Sequence, residues 1–336
     1  MHRSGTSVLA RGLGALGVDL GDRLLDGLDD NPDGYFEDRQ VVATSQRLLQ
    51  ALDIDWASVA LLTADCWQQP AVQQLKGEII AALGQRFGDR PLWGFKDPRL
   101  IRTLPFWLDV LRQLAVDARF VLAVRNPLSV AHSLLRRNGI ALEKGVLLWL
   151  VHWLPYLELL RGRALAVVDY DLLMAEPQAQ WTRLAQRLEL PTSNLPAFLS
   201  ERQRHWRFDE AQLRLTPQVT ALAHRAYVLL LAAARDRCAL DESFWDHWRQ
   251  LADELQALAP LLGYLDRSER SGTQTAQQLR QQQAKAVKLE QQVTGLEQQT
   301  AALQAREQTT AAALAALEGA AAGLRAELEA VYASRS

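Results

Sequence analysis

The sequence predicts an α/β protein, a parallel sheet flanked by helices and followed by a C-terminal coiled-coil helix. Three observations carry that reading. Short apolar, β-prone runs alternate with long helical patterns through the first 265 residues. Composition shifts near Leu265, and beyond Ser268 there is no Pro or Trp, while Gln, Ala, Leu, Glu and Thr dominate. A seven-residue apolar rhythm then runs through that second segment.

Taken in order, helical patterns are expected over Ser7–Leu16, Gln40–Leu52 and Pro70–Phe87. A strand is expected over Leu92–Phe95, a helix over Leu104–Leu114 and a strand over Phe120–Val124. Helices over Leu128–Arg137 and Lys144–Leu160, a strand over Leu165–Val168, and helices over Gln178–Leu188 and Thr216–Ala234 complete the first domain, residues 1–265. Strands separated by helices imply parallel pairing, and in such sheets ligands gather at the carboxyl ends of the strands. That rule selects three loops: before Ser7, after Phe95 and after Val124. A loop like the first normally follows a buried strand, so the native N terminus is expected to extend upstream of Met1.

Residues 266–336 form the second unit, with Asp266–Thr273 as the expected joint. One heptad position reads Leu279, Ala286, Val293, Thr300, Glu307, Leu314, Ala321, Leu328. The position three residues on reads Gln282, Leu289, Leu296, Leu303, Thr310, Leu317, Leu324, Val331. Six of eight are apolar in each series, with a polar centre at Thr300, Glu307 and Thr310. The expectation is a coiled coil over 269–333 that serves self-association or partner docking, with strand number open; a single Gln/Ala-rich helix is the alternative.

Bulk numbers exclude several classes. A formal net charge of -2 gives no whole-chain attraction to nucleic acid, so any anion site is local. No run approaches the roughly 18 uncharged apolar residues of a spanning helix. The closest, Gly145–Leu160, contains His152, Pro155 and Glu158. With no hydrophobic signal core after His2 and Arg3, the expected location is cytoplasmic. Cys66 and Cys238 read as two reduced thiols, not a metal site.

Four motifs carry chemistry. His2-Arg3-Ser4-Gly5-Thr6-Ser7 runs into an apolar helix. Gly5 permits a tight turn, loop amides and the helix N terminus favour an anion, and Arg3, Ser4, Thr6 and Ser7 add charge and hydroxyls. This is phosphate-cradle chemistry and hence P-loop-like, but Thr6 stands where a Walker A loop needs Lys. The bland alternative is a plain helix cap. Arg125-Asn126-Pro127-Leu128-Ser129-Val130-Ala131-His132-Ser133 follows a strand, with Asn126 as cap, Pro127 at the first helical position, and Arg125 and Ser133 placed to hold a second phosphate. Trp93-Gly94-Phe95-Lys96-Asp97-Pro98-Arg99 ends in charges, Lys96 being suited to a leaving phosphate and Asp97 and Arg99 to a structural pair. Asn31-Pro32-Asp33-Gly34-Tyr35-Phe36-Glu37-Asp38 is a turn leading to two carboxylates, of which Glu37 is a candidate general base; helix N-terminal charge placement is the competing role.

These four motifs, in this order, resemble the bacterial branch of the sulfotransferase superfamily, whose members use 3′-phosphoadenosine 5′-phosphosulfate (PAPS). The resemblance covers roughly Met1 to Leu190 and extends to Val167-Val168-Asp169-Tyr170. It implies that Arg3, Ser4, Gly5, Thr6 and Ser7 bind the 5′-phosphosulfate and that Arg125 and Ser133 bind the 3′-phosphate. It also implies PAPS as donor substrate, a hydroxyl acceptor such as a glycan or glycolipid, and no metal. The family's Gly-rich, Lys-bearing C-terminal segment is not recognisable; Arg204, His205 and Arg207 are the basic residues in a comparable place. No catalytic His can be assigned, His132 suiting a helix role equally. Two other readings stand beside this one: a P-loop-type ATP-dependent kinase, and a catalytically silent scaffold assembled through the coiled coil.

Overall fold

The computed structural model describes residues 1–27, 34–192, 195–197, 208–216 and 220–333. It divides into two compact units, Met1–Arg267 and Ser268–Ser336. The first is mixed α/β and mostly helical. Its elements begin with α1 (Thr6–Ala15), α2 (Arg39–Ala51), α3 (Pro70–Phe87) and α4 (Leu104–Gln113). Strand β1 (Phe120–Val124), α5 (Pro127–Asn138), α6 (Leu142–Trp153) and β2 (Leu165–Asp169) follow. Then come α7 (Tyr170–Ala175), α8 (Pro177–Arg187), α9 (Glu210–Leu215), α10 (Ala221–Ala234) and α11 (Glu242–Gln256). Helix α12 runs from Ala259 to Ala333.

Strands β1 and β2 pair in parallel, with Phe120 opposite Leu165 and Val124 opposite Asp169. Alternation along a strand sends successive side chains to opposite faces. Leu122, Val124 and Val167 accordingly join Leu128, Trp149 and Tyr227 on the α5, α6 and α10 side. Ala123, Ala166 and Val168 join Leu9 of α1 and Trp181 of α8 on the other. Burial on both faces explains why each strand reads as a continuous apolar run.

The sheet is smaller than the sequence predicts. Leu92–Phe95 is not a strand: Trp93 makes one parallel bridge, to Asp19. Its aromatics serve a helical core instead. Phe87, Trp93, Phe95 and Trp107 stack in a chain with ring centroids 4.7, 5.9 and 5.1 Å apart. This row packs within the α2–α4 cluster around Val41, Ile79 and Val110. The apolar alternation was real, but its partner is a helix bundle.

Several helix boundaries have visible causes. Asn126 caps α5 by accepting from Leu128 and Ser129 amides, with Pro127 in the first turn, as its sequence predicts. The expected helix Lys144–Leu160 instead ends at Trp153 and resumes as a 3₁₀ turn over Leu157–Leu160, because Pro155 cannot donate within a helix. The helix expected from Thr216 starts at Ala221, capped by Thr220, and Tyr170–Ala175 forms a separate short helix. Helix α11 was not anticipated, although Asp241 caps it and Phe244, Trp245, Trp248, Leu251 and Leu255 form its buried stripe. The expected joint at Asp266–Thr273 is likewise helical, lying inside α12. Asp266 belongs to the first unit, where it is buried and accepts from Val59 N at 2.7 Å and Ala60 N at 2.9 Å. The compositional shift therefore marks where packing stops, two residues beyond the predicted boundary, and not where the helix breaks.

Helices α5 and α6 approach closely at Gly145, where an added Cβ would lie 2.8 Å from Ala131 Cα. Backbone cannot rotate away, so Gly145→Ala is expected to lower stability by about 1–2 kcal/mol despite Ala's better helix propensity. Denaturant unfolding of the two proteins measures this; an unchanged or raised midpoint would contradict it.

Among the described residues no single helix is long and apolar enough to cross a membrane.

Candidate functional site

The carboxyl ends of β1 and β2 and the N terminus of α1 meet at one place. Arg125 follows β1, Asp169 closes β2 and Tyr170 opens α7. Gly5 precedes α1 in the left-handed region at φ 81°, and Arg3 is there too at φ 63°. Glycine adopts this conformation without cost, whereas Arg3 does not. No side chain caps the first turn of α1, in contrast to α2, α5 and α7, capped by Asp38, Asn126 and Asp169. An uncapped helix start leaves amide donors for an anion. Ser4 is 1% exposed and its Oγ has no hydrogen-bond partner among the described residues. An unsatisfied buried hydroxyl next to such a turn fits an anionic ligand.

The two basic motifs interlock here. Arg3 Nε donates to Ser133 Oγ at 2.8 Å across 130 residues of sequence. Arg125 Nη1 donates to the Arg3 carbonyl at 3.1 Å. Ser133 thus meets Arg3, and Arg3 lies between the two members of the Arg-x7-Ser pattern. Arg125 is fixed from two further sides. Trp149 Nε1 donates to its carbonyl at 3.0 Å, and its guanidinium lies 4.6 Å from the Tyr170 ring centre. Tyr170 also sets the floor of the loop: a Cβ at Gly5 would lie 2.2 Å from Tyr170 Cδ2. Sequence reasoning gave Trp149 and Tyr170 no role. Tyr170's position two residues after the expected strand Leu165–Val168 is the available signal, while nothing local marks Trp149.

On the other side of α1's first turn stand Lys96 and Glu37. Lys96 Nζ donates to Glu37 Oε1 at 2.6 Å, to the Tyr35 carbonyl at 2.8 Å and to Ser7 Oγ at 3.2 Å. Both side chains are nearly buried. Burial pushes the Glu37 carboxyl up and the Lys96 ammonium down, and each partner's charge opposes the other's shift. The neighbouring charges take the structural roles foreseen for them. Asp38 caps α2 and holds Arg86 at 2.6 Å. Asp97 accepts from Arg99 Nε at 2.8 Å and from Arg99 Nη2 at 2.6 Å. His132 stacks on Phe208, ring centres 4.9 Å apart. Asn31, Pro32, Asp33, Arg204, His205 and Arg207 lie outside the described residues.

Arg3, Ser4, Gly5, Thr6, Ser7, Lys96, Glu37, Arg125 and Ser133 therefore converge from four separate stretches of chain on the start of α1. The charge of the assembly is carried by Arg3, Arg125 and the Lys96–Glu37 pair. Among the described residues no group of three His, Cys, Asp or Glu is arranged to hold a metal ion. Comparison with protein-family models, curated proteins and solved structures yields no match.

Asp169 is fully enclosed, and burial, followed by the charge of Asp171, raises its pKa from 3.8 to about 6. Its carboxylate accepts from the Asp171 and Leu172 amides, both at 3.0 Å, and from Tyr227 Oη at 3.0 Å. A raised acid pKa means the folded state holds the proton more tightly, so the associated stability is full below the unfolded value and is lost as pH rises through the folded one. Relative to Asp169→Asn, the wild type is expected to lose about 2 kcal/mol between pH 4 and pH 7. Thermal unfolding of both proteins across that range tests this, and a pH-independent difference would refute it.

Proposed function

We propose that this chain is a sulfotransferase that moves the sulfuryl group of PAPS to an acceptor hydroxyl, on a glycan or glycolipid. The observation that carries the reading is the interlock at Arg3. It joins two anion-binding motifs, 130 residues apart, around an uncapped helix start with a buried, unsatisfied Ser4 hydroxyl. A donor with phosphates at both its 5′ and 3′ positions needs two such anchors, whereas ATP needs one. The missing Walker lysine at Thr6 also counts against a kinase.

In this proposal Arg3, Ser4, Gly5, Thr6 and Ser7 hold the 5′-phosphosulfate, and Arg125 and Ser133 hold the 3′-phosphate. The bond from sulfur to the bridging phosphate oxygen breaks as the bond from the acceptor oxygen to sulfur forms, in line. Charge that builds on the leaving phosphate is met by Lys96, which already touches Ser7 of the 5′ loop. The acceptor's proton passes to Glu37, whose Oε1 holds Lys96. A base with a raised pKa is better matched to a hydroxyl proton near neutral pH than an ordinary carboxylate.

Incubation with PAPS and a panel of hydroxyl-bearing saccharides and glycolipids, following release of 3′,5′-diphosphoadenosine, tests the proposal. Acceptor-dependent release supports it. Phosphorylated products from ATP and Mg²⁺ would establish the kinase instead, and no turnover of either donor would favour the silent scaffold.

A further inference from the structure

Within α12, residues 268–333 lie in a unit of their own, and its apolar seam is exposed. Leu289 is 62% exposed, Leu303 65% and Leu317 68%. A seam repeating every 3.5 residues over this length is complementary to another seam of the same kind. Two features of the sequence decide which partner and which direction.

The first is the polar layer. Glu307 occupies a core position. Two copies aligned parallel and in register would set Glu307 against Glu307, two like charges facing each other in a seam that should be dry. Run antiparallel about a centre between residues 308 and 309, Glu307 instead faces Thr310, a hydroxyl donor. The same register sets Leu303 against Leu314 and Leu289 against Leu328. From 286 to 331 every position of one core series then meets a position of the other, with none left over.

The second is charge. Near the start of the seam lie Arg280, Lys285 and Lys288 with Glu290, and near its end Glu318, Glu327 and Glu329 with Arg325. Parallel alignment places like ends together. Antiparallel alignment brings the mainly basic start of one copy beside the mainly acidic end of the other, and the helix dipoles then also oppose favourably.

We propose that the tail docks on a second copy of this chain as an antiparallel two-stranded coiled coil, registered with Glu307 against Thr310. The proposal does not depend on the activity of the first unit.

Disulfide trapping in the full chain tests it, on a Cys238→Ser background, with Cys66 buried. Leu289→Cys and Leu328→Cys chains are prepared separately and mixed. Antiparallel pairing predicts cross-linked heterodimers from the mixture and little from either variant alone, because two copies of residue 289 would be about 60 Å apart. Cross-linking of Leu289→Cys to itself would overturn the proposal in favour of parallel strands. Light scattering on the unmodified chain provides the second reading. A dimer is expected, and a monomer at tens of micromolar, or a dimer with no cross-link in the mixture, would also overturn it.

Discussion

Replacing Lys96 with Met is expected to reduce the proposed sulfuryl transfer about 10²- to 10³-fold while leaving binding of 3′,5′-diphosphoadenosine within a few fold. The Lys96 ammonium touches Ser7 Oγ and Glu37 Oε1, beside the loop proposed to hold the 5′-phosphosulfate. A donor placed to meet developing charge contributes mainly in the transition state, and removing one of this kind costs roughly that factor. Met retains most of the buried stem, so packing is conserved. The variant also leaves Glu37 buried without its cation. Glu37's pKa, already raised by burial, should rise further, because the opposing Lys96 charge is gone. For a general base the active form is the carboxylate, so turnover falls as pH drops through that pKa, and the acid limb should move to higher pH in the variant. Steady-state rates from pH 5 to pH 9, with circular dichroism to confirm folding, read both effects. A rate within threefold of wild type, or an acid limb that does not move, would remove the pair from the chemistry.

The second large effect concerns affinity. Arg125→Ala should weaken binding of 3′,5′-diphosphoadenosine about 10- to 150-fold, the equivalent of one lost charge-assisted hydrogen bond of roughly 1.5–3 kcal/mol. Arg125 also supports the loop through its bond to the Arg3 carbonyl, and Trp149 and Tyr170 hold it in place. The specific signature is selectivity. Arg125→Ala should narrow the gap in affinity between 3′,5′-diphosphoadenosine and 5′-AMP, since only the first carries the 3′-phosphate. Loss of affinity for both in equal measure would assign Arg125 to loop support alone.

Much of the site was legible because its residues lie at the ends of elements with strong local signals. Strand Phe120–Val124 is a short β-prone run, Asn126-Pro127 is a helix start, and Gly5 before an apolar helix is a turn. These features are local, so the sequence carries them. The link between Arg3 and Ser133 is not local, and it required the chain to bring α1 against the β1–α5 turn. The third strand failed for a related reason. Alternating Trp93 and Phe95 look the same in sequence whether they face a sheet or a row of aromatics between helices. Trp149 was invisible because an indole donating to a backbone carbonyl leaves no pattern. Helix α11 carries a local signal of its own, the Asp241 cap and the stripe of Phe244, Trp245, Trp248, Leu251 and Leu255.

The central claim is that the start of α1 is a two-phosphate nucleotide site. Calorimetric titration of the full chain with 3′,5′-diphosphoadenosine, and separately with ATP and Mg²⁺, tests it most directly. The account predicts one site per chain for the diphosphate, with micromolar or tighter affinity, and binding of ATP that is weaker by at least tenfold. Equal affinity for the two nucleotides, or no heat with the diphosphate, would contradict it.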